Sequence, residues 1–149
     1  MAENLNYAAV DSKCYANNSS NCEKYGRLYN WSTAMSSCPA GWHLPKDAEW
    51  NTLENSVGGS STAGKKLKST SGWSNNGNGT DGFGFSALPG GSGYSDGNFN
   101  NAGDYGYWWS ATEFNTYNAL RRYMYYGYEY VYMNYNFKYN QFSVRCVED

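Results

Sequence analysis

The spacing of apolar residues predicts two short helices in the first third of the chain. In residues 30–38 the apolar positions recur at intervals of three and four, which places them on one face of a helix. These positions are Trp31, Ala34, Met35 and Cys38. Residues 47–57 repeat the pattern, and a pair of glycines ends this second helix. Residues 41–44 are expected to form a short extended piece between the two helices.

Alternation of side-chain types predicts strands in the last third of the chain. The predicted strands are residues 108–112, 119–125, 128–134 and 142–147. Alternate residues of a strand point to opposite faces, so Tyr128, Tyr130, Tyr132 and Asn134 are expected to share one face. The same rule places Arg121, Tyr123 and Tyr125 together. In the last strand the inward positions are Phe142, Val144 and Cys146.

The middle of the chain, residues 60–106, is rich in Gly, Asn and Ser. Aromatic residues recur too regularly there for a flexible linker, so we expect long packed loops with small strands around residues 83–88. Two helices, small antiparallel sheets and long loops together predict an α+β fold. The length of 149 residues fits a single domain covering residues 1–149.

Composition and charge exclude two classes of partner. The net charge is −2 and there is no basic run, so we expect no binding to nucleic acid. No stretch approaches the roughly 18 consecutive apolar residues of a membrane span, so we expect no membrane insertion of this domain. Aromatic residues make up 19% and charged residues 16% of the chain, which is unlike a disordered protein.

The four cysteines predict disulfides rather than a metal site. There is no C-x-x-C pair and only one histidine, His43, so zinc is disfavoured and no metal ligands are predicted. Cys14 and Cys22 flank a polar loop that a local disulfide would close, which leaves Cys38 to pair with Cys146. Such bridges indicate a secreted or cell-surface protein. Four reduced thiols in a cytosolic protein are the alternative.

Other chemistry is weakly indicated, and the chain is predicted to be non-enzymatic and to need no cofactor. Glu113 and Glu129 are candidates for a carboxylate pair in glycoside hydrolysis, but solvated strand residues are the favoured interpretation. His43 is predicted to be a packed structural residue. A structural Ca²⁺ is a further hypothesis, although the spacing matches no known calcium loop. Its candidate ligands are Asn76, Asn78 and Asp81 in one loop and Asp96, Asn98 and Asp104 in another.

Tyrosine is concentrated near the end of the chain, with 11 of the 16 tyrosines between Tyr105 and Tyr139. Cross-strand aromatic pairs stabilise sheets, and Tyr/Asn-rich segments can self-associate, so two structural explanations exist. A large aromatic face beside Asn and Ser is more typical of an adaptable binding surface. We therefore predict a ligand-binding surface. Its candidate residues are Trp109, Tyr117, Arg121, Tyr123, Tyr125, Tyr128, Tyr130, Tyr132 and Asn134.

Several strings of residues resemble the Fibrobacter succinogenes major paralogous domain, a family of secreted bacterial modules. They are MAENLNY, KYGRLYNWSTAM, CPAGWHLPKDAEWNTL, GFSALPGG, YWWSATE and FSVRCVED, in this order across nearly the whole chain. The resemblance implies a C-type-lectin-like fold with two helices, long loops and terminal strands that meet. The EPN or QPD and WND motifs of calcium-dependent lectins are absent, so calcium-dependent sugar binding is not expected.

The WSATE and SVRCV motifs are also similar to the frame of variable proteins that retroelements diversify. In those proteins the stretch between the motifs is rewritten and displayed as a binding surface, which corresponds here to residues 114–136. The resemblance implies a protein or glycan ligand on a cell or phage surface. A paralogue in which this segment is never rewritten is compatible with the same single sequence, so both alternatives stay open. The alternative function is a structural or assembly module whose tyrosine face packs against another domain or copy.

Overall fold

Four α-helices lie in the first half of the chain in the computed structural model, which describes all residues from 1 to 149. They are α1 (Ser19–Tyr25), α2 (Trp31–Ser37), α3 (Asp47–Ser56) and α4 (Ser60–Leu67). Helices α2 and α3 confirm the two predicted helices. Helices α1 and α4 are additional, and α4 replaces the start of the predicted loop region.

A side-chain cap accounts for helix α1, and a close contact with another part of the chain accounts for the glycine inside helix α4. The Asn18 side chain accepts a hydrogen bond from the Ser20 N–H at 3.0 Å, which caps α1. Helix α4 contains Gly64, a residue that usually weakens a helix. A Cβ atom at Gly64 would lie 2.4 Å from the Tyr130 carbonyl oxygen, so only glycine lets that chain segment approach.

The strands form one five-stranded sheet and one two-stranded sheet. The large sheet contains β2 (Gly90–Gly93), β3 (Phe99–Ala102), β4 (Tyr105–Glu113), β5 (Asn118–Tyr125) and β6 (Tyr132–Phe137), in the order β3-β2-β4-β5-β6. In the small sheet, β1 (Trp42–His43) pairs with β7 (Val147–Glu148). The class is α+β, as predicted. The large sheet is mixed rather than antiparallel, because β2 runs parallel to β4.

Two strand predictions are wrong. One is the small strands around residues 83–88, and the other is the start of the strand at residues 128–134. Residues 83–88 contribute only an isolated bridge between Ala87 and Lys68, whereas β2 and β3 form later in the chain. The strand predicted at residues 128–134 begins at Tyr132 instead. Before that residue the backbone pairs with α4, because the Val131 N–H donates to the Ser60 carbonyl at 2.9 Å.

The C-terminal segment is also not the single strand predicted at residues 142–147. Bridges join Phe142 to Tyr29 and Ser143 to Trp108, and β7 begins only at residue 147. The predicted inward residues Phe142, Val144 and Cys146 are buried. Ser143 and Arg145 are buried as well, because protein covers this segment on both sides.

The large sheet has a hydrophobic core on each side, and two adjacent tryptophans point into opposite cores. Trp109 packs with Tyr29 and Phe142 in the first core. Trp108 packs in the second core with Trp50 of α3 and Leu67 of α4. Alternation of side chains along β4 accounts for this division. Both tryptophans are 0% exposed.

Two disulfides close the fold as predicted. Cys14 bonds to Cys22, and Cys38 bonds to Cys146 across a sequence separation of 108 residues. In the chain-entropy account, a loop of this length corresponds to roughly 4–5 kcal/mol of stabilisation through the unfolded state. Two disulfides are consistent with an extracellular protein. None of the helices combines the length and apolar character that a membrane crossing requires.

The side chain of Asn4 connects three distant parts of the chain. Its Oδ1 accepts hydrogen bonds from Trp108 Nε1 at 2.9 Å and from Arg145 Nε at 2.7 Å. Its Nδ2 donates to the Tyr25 carbonyl at 2.8 Å. Arg145 is itself buried, and it also donates to the carbonyl oxygens of Met1, Phe85 and Ser86.

His43 is not the packed residue that the sequence predicts. Its side chain is 36% exposed and lies between two carboxylates, with Nε2 2.9 Å from Glu49 and Nδ1 2.5 Å from Asp149. These hydrogen bonds, with the one to Asp149 the larger cause, raise the pKa of His43 above its usual value. The histidine thus ties β1 to α3 and to the end of the chain.

We predict that the contribution of His43 to stability is pH-dependent. A raised folded-state pKa means that the stabilisation is complete below the unfolded pKa of about 6.5 and is lost as the pH rises through the folded pKa. In urea unfolding, His43→Gln should be less stable than the parent at about pH 5.5, and this difference should shrink as the pH is raised from there to about 9. A difference that stays constant over this range would refute the assignment.

Candidate functional site

The structure gathers the predicted tyrosines into one group, which we call the tyrosine cluster. Its members are Tyr105, Tyr107, Tyr123, Tyr125, Tyr126, Tyr128, Tyr130 and Tyr132, and neighbouring rings have centroids 4.3–6.3 Å apart. Five of these were predicted as binding residues. Tyr105 and Tyr107 join them because β4 pairs with β5, which brings Tyr107 opposite Tyr123, and Tyr126 joins through its contact with the Tyr125 ring.

The most accessible rings of the cluster lie in a loop rather than on a strand. Tyr128 and Tyr130 are 55% and 45% exposed and belong to residues 126–131, which we call the tyrosine loop. Strand alternation predicts that these two rings share one face. They do lie close together, but residues 126–131 form a loop rather than a strand. The ring of Tyr132, at the start of β6, contacts both rings. Its centroid lies 6.3 Å from that of Tyr128 and 5.4 Å from that of Tyr130.

The backbone of the tyrosine loop is held by helix α4 and by two close contacts with glycines. Lys65 N–H donates to the Glu129 carbonyl at 3.1 Å. Gly64 touches the Tyr130 backbone, and a Cβ atom at Gly77 would lie 2.4 Å from the Tyr126 carbonyl oxygen. A side chain at either glycine would push the loop away, so these residues allow the loop to pack directly against the domain.

A buried lysine fixes the tyrosine loop from below. Lys68 is 2% exposed, and its ammonium donates hydrogen bonds to the carbonyls of Tyr125, Tyr126 and Tyr128 at 3.1, 3.4 and 2.9 Å. It also lies 5.1 Å from the ring centroid of Trp73. Burial, followed by the nearby Lys65 charge, lowers the pKa of Lys68 to about 8. The sequence gives no sign of this role, because a short cluster of lysines is expected to be solvated. The cluster consists of Lys65, Lys66 and Lys68.

The other predicted binding residues have different positions. Arg121 lies over the rings of Tyr107 and Tyr123 and so borders the tyrosine cluster. Tyr117 is 73% exposed, and it lies in the hairpin between β4 and β5. Trp109 is removed from the candidate surface, because it is fully buried and its indole N–H donates to the Tyr29 carbonyl at 2.7 Å. The alternation of side chains along β4 sends Trp109 into the first core.

The phenol groups of Tyr107 and Tyr125 are neutral at physiological pH, because the pKa of each is raised. Burial raises the pKa of Tyr107 to about 12. A hydrogen bond with Tyr126 is the main cause that raises the pKa of Tyr125 to about 12. These two phenols therefore keep both a donor and an acceptor at their tips, while their rings offer apolar faces.

A second aromatic surface, which the sequence did not predict as a site, lies on the opposite face of β6. We define it as Phe114, Met133, Tyr135, Phe137 and Tyr139, all of which are 47–56% exposed. Phe114 stacks on Tyr135 with ring centroids 4.2 Å apart, and Phe137 stacks on Tyr139 at 5.1 Å. Met133, Tyr135 and Phe137 alternate with Asn134 and Asn136 along β6. Strand periodicity with the correct bounds of β6 would therefore have revealed these three residues.

The asparagines of β6 protect the free edge of the sheet. Asn134 Oδ1 accepts a hydrogen bond from the Tyr135 N–H, and Asn136 Oδ1 accepts one from the Phe137 N–H, both at 2.8 Å. β6 is the last strand of the sheet, and unpaired edge N–H groups are what a strand of another molecule would pair with. Asn134, predicted as a ligand-binding residue, therefore already uses its side-chain oxygen within its own strand.

The remaining candidate chemistry is dispersed. Glu113 pairs with Lys138 at one end of the β4–β5 hairpin, whereas Glu129 lies in the tyrosine loop at the other end. Several of the proposed calcium ligands form local hydrogen bonds, since Asn78 accepts from the Trp73 N–H and Asp81 from Ser86. No group of three or more His, Cys, Asp or Glu side chains is placed to hold a metal ion.

We predict that Lys68→Met loosens the tyrosine loop. The substitution removes the ammonium and leaves three carbonyl oxygens without their donor, which should cost about 1–3 kcal/mol of unfolding free energy. Amide hydrogen exchange should accelerate at Tyr126, Tyr128 and Val131. The matched control is Lys24→Met, which alters an exposed lysine. Unchanged exchange in the loop of Lys68→Met would show that α4 alone holds it.

One family comparison identifies a relationship that covers the chain. A model of the Fibrobacter succinogenes major domain matches residues 1–148. No curated protein and no solved structure shows significant similarity. Because the family match spans nearly the whole sequence, the chain belongs to the Fibrobacter succinogenes major domain family.

Proposed function

We propose that this member of the Fibrobacter succinogenes major domain family is a non-enzymatic, receptor-like or adhesin-like module that binds a ligand on its tyrosine cluster. The observation that carries the proposal is the exposure of Tyr128 and Tyr130 at the tip of a connected group of eight phenol rings. Exposed aromatic groups of this size mark interaction sites more often than they serve stability. The ligand is a protein or a glycan on a cell or phage surface.

The anchoring of the tyrosine loop supports binding rather than a passive surface. A loop held by Lys68, α4 and two glycine contacts is ordered before a ligand arrives. Binding then loses little conformational entropy, so more of the interaction energy appears as affinity. Tyrosine has few rotatable bonds and a hydrogen-bonding tip, which suits it to this role.

We further propose a C-type-lectin-like scaffold and a secreted or cell-surface location. The scaffold is supported by the meeting of the two terminal segments, where the Met1 amino group donates to the Cys146 carbonyl at 3.0 Å and the Leu5 N–H donates to the Val144 carbonyl at 2.9 Å. It is also supported by long connections that return to the central sheet. The two disulfides support export, because such bonds persist in oxidising compartments.

The assembly alternative receives less support. Strand pairing with a second copy would need free N–H groups on β6, and those of Tyr135 and Phe137 are occupied by asparagine side chains. The exposed second aromatic surface favours this alternative, through packing of side chains rather than of strands. Sedimentation of the isolated domain separates the two functions, since a monomer at high concentration contradicts self-assembly.

The binding proposal is tested with Tyr128→Ala/Tyr130→Ala. Both rings are exposed, so the melting temperature should change by only a few degrees while affinity falls roughly a hundredfold, about 3 kcal/mol. A glycan microarray and a panel of bacterial surface proteins supply the ligand, and biolayer interferometry measures its affinity. Tyr7→Ala/Phe83→Ala is the matched control, because both rings are exposed and lie outside every candidate binding surface. Equal loss in both double variants would contradict the proposal.

Diversification of residues 114–136 is a further part of the proposal, and burial defines which positions could vary. Ala119, Arg122, Met124 and Val131 are buried, so their replacement would disrupt the cores. Arg122, for example, donates to Asp47 and Glu54 of α3, both at 2.6 Å. Exposed positions carry no such constraint.

We predict the pattern that sequencing of codons 107–149 in a clonal population would give. If retroelements diversify the domain, substitutions should concentrate at exposed positions such as Tyr117, Tyr128, Tyr130 and Asn134. Residues 142–149 should remain constant and serve as the internal control. An invariant segment would instead identify a fixed binding surface with one ligand.

A further inference from the structure

Arg121 is a cation held by aromatic rings without a hydrogen-bond partner. Its Cζ lies 4.7 Å from the Tyr107 ring centroid, 4.8 Å from that of Tyr123 and 5.4 Å from that of Phe142. Its Nε and Nη1 atoms are buried and have no acceptor. The rings attract the charge, but they do not provide the in-plane oxygen acceptors that guanidinium N–H groups require.

No carboxylate compensates the Arg121 charge. The ionisable groups that face it are the phenols of Tyr94, Tyr107 and Tyr123. The two buried arginines of the fold have acceptors, unlike the half-buried Arg121. Arg122 donates to Asp47, Asn51 and Glu54, and Arg145 donates to Asn4 and three carbonyls. Arg121 is thus the guanidinium in this fold with unused binding capacity.

A carboxylate is the group that fits this capacity. One of its oxygens can accept a hydrogen bond from Nη2, the guanidinium nitrogen of Arg121 that is neither buried nor bonded, and a charged hydrogen bond in a poorly solvated site is stronger than one in water. The nearest rings continue outward from the arginine. Tyr123 stacks on Tyr132 with centroids 4.9 Å apart, and Tyr132 contacts Tyr128 and Tyr130. The charge therefore lies at one end of a row of phenols that reaches the exposed loop.

We propose that Arg121 receives the carboxylate of an acidic saccharide whose sugar rings lie on the tyrosine cluster. This inference rests on the proposed binding function and specifies its ligand. A uronic acid combines a carboxylate with a ring that has an apolar C–H face and polar hydroxyls. The cluster offers the complementary set, with aromatic faces, phenol tips and one uncompensated cation.

The experiment compares two ligands that differ only in charge, trigalacturonate and its methyl ester. Calorimetry should show that the parent protein binds the acid at least tenfold more tightly than the ester. Arg121→Gln should abolish this preference while ester binding is retained. Arg121→Lys keeps the charge but lacks the planar guanidinium that lies over the rings, so it should reduce the preference without removing it. The NMR signal of the Arg121 Nε–H should shift with the acid and not with the ester.

Each result decides between the inference and its alternatives. Equal binding of acid and ester overturns the carboxylate site but leaves the tyrosine binding surface intact. Failure of the parent to bind either saccharide, or a preference for a polyglutamate peptide, overturns the acidic saccharide. The proposed function is then decided separately by the Tyr128→Ala/Tyr130→Ala test. If Arg121→Gln fails to fold, Arg121→Lys and the NMR signal decide the inference, and an unchanged acid preference in that variant overturns it.

Discussion

The fold depends on the junction that Asn4 makes between the two ends of the chain and the central sheet. One side-chain oxygen accepts hydrogen bonds from Trp108 of β4 and from Arg145 near the C-terminus, while the amide group holds the Tyr25 carbonyl at the end of α1. All of these groups are buried, so each would lose a partner if another moved. The Cys38–Cys146 bond and the β1–β7 pair close the same end of the molecule covalently and through the backbone. The two ends of the chain therefore stay attached to the central sheet although long loops lie between them.

With its ends fixed, the chain can expose aromatic side chains on the remote part of the sheet. The two cores cover both faces of β4, but their cover stops before β6. Tyrosines on one face and the Phe114, Met133, Tyr135, Phe137 and Tyr139 surface on the other are left in contact with solvent. Such a sheet edge would invite pairing with another strand, and the asparagines of β6 block it by capping their own backbone. The molecule thus combines an aromatic surface with a protected edge.

Two cations beside the tyrosines, the buried Lys68 and the half-buried Arg121, have opposite environments. The Lys68 ammonium is surrounded by three carbonyl oxygens, so its charge orders the tyrosine loop. The Arg121 guanidinium is surrounded by rings and has no acceptor, which is the basis for proposing it as the contact of a ligand carboxylate. Lysine suits the first position because a compact ammonium can donate to several convergent carbonyls, and arginine suits the second because its planar guanidinium stacks on aromatic faces. The first cation orders the tyrosine loop, and the second carries the proposed ligand preference.

Sequence periodicity alone determined α2, α3, the extended runs of β4 and β5, and the inward set Phe142, Val144 and Cys146, because these depend on which faces of local elements are apolar. Spacing also gave both disulfides, and the abundance of tyrosine located the candidate surface. Only the tertiary structure decided that Trp109 is buried, that Tyr128 and Tyr130 lie in a loop, and that Lys68 is a buried anchor. The burial of Trp109 reflects the packing of the first core against β4, whereas the other two features arise where the backbone of residues 129–131 pairs with α4 instead of β5. That choice depends on close packing at Gly64, a contact between residues far apart in sequence that no local pattern records.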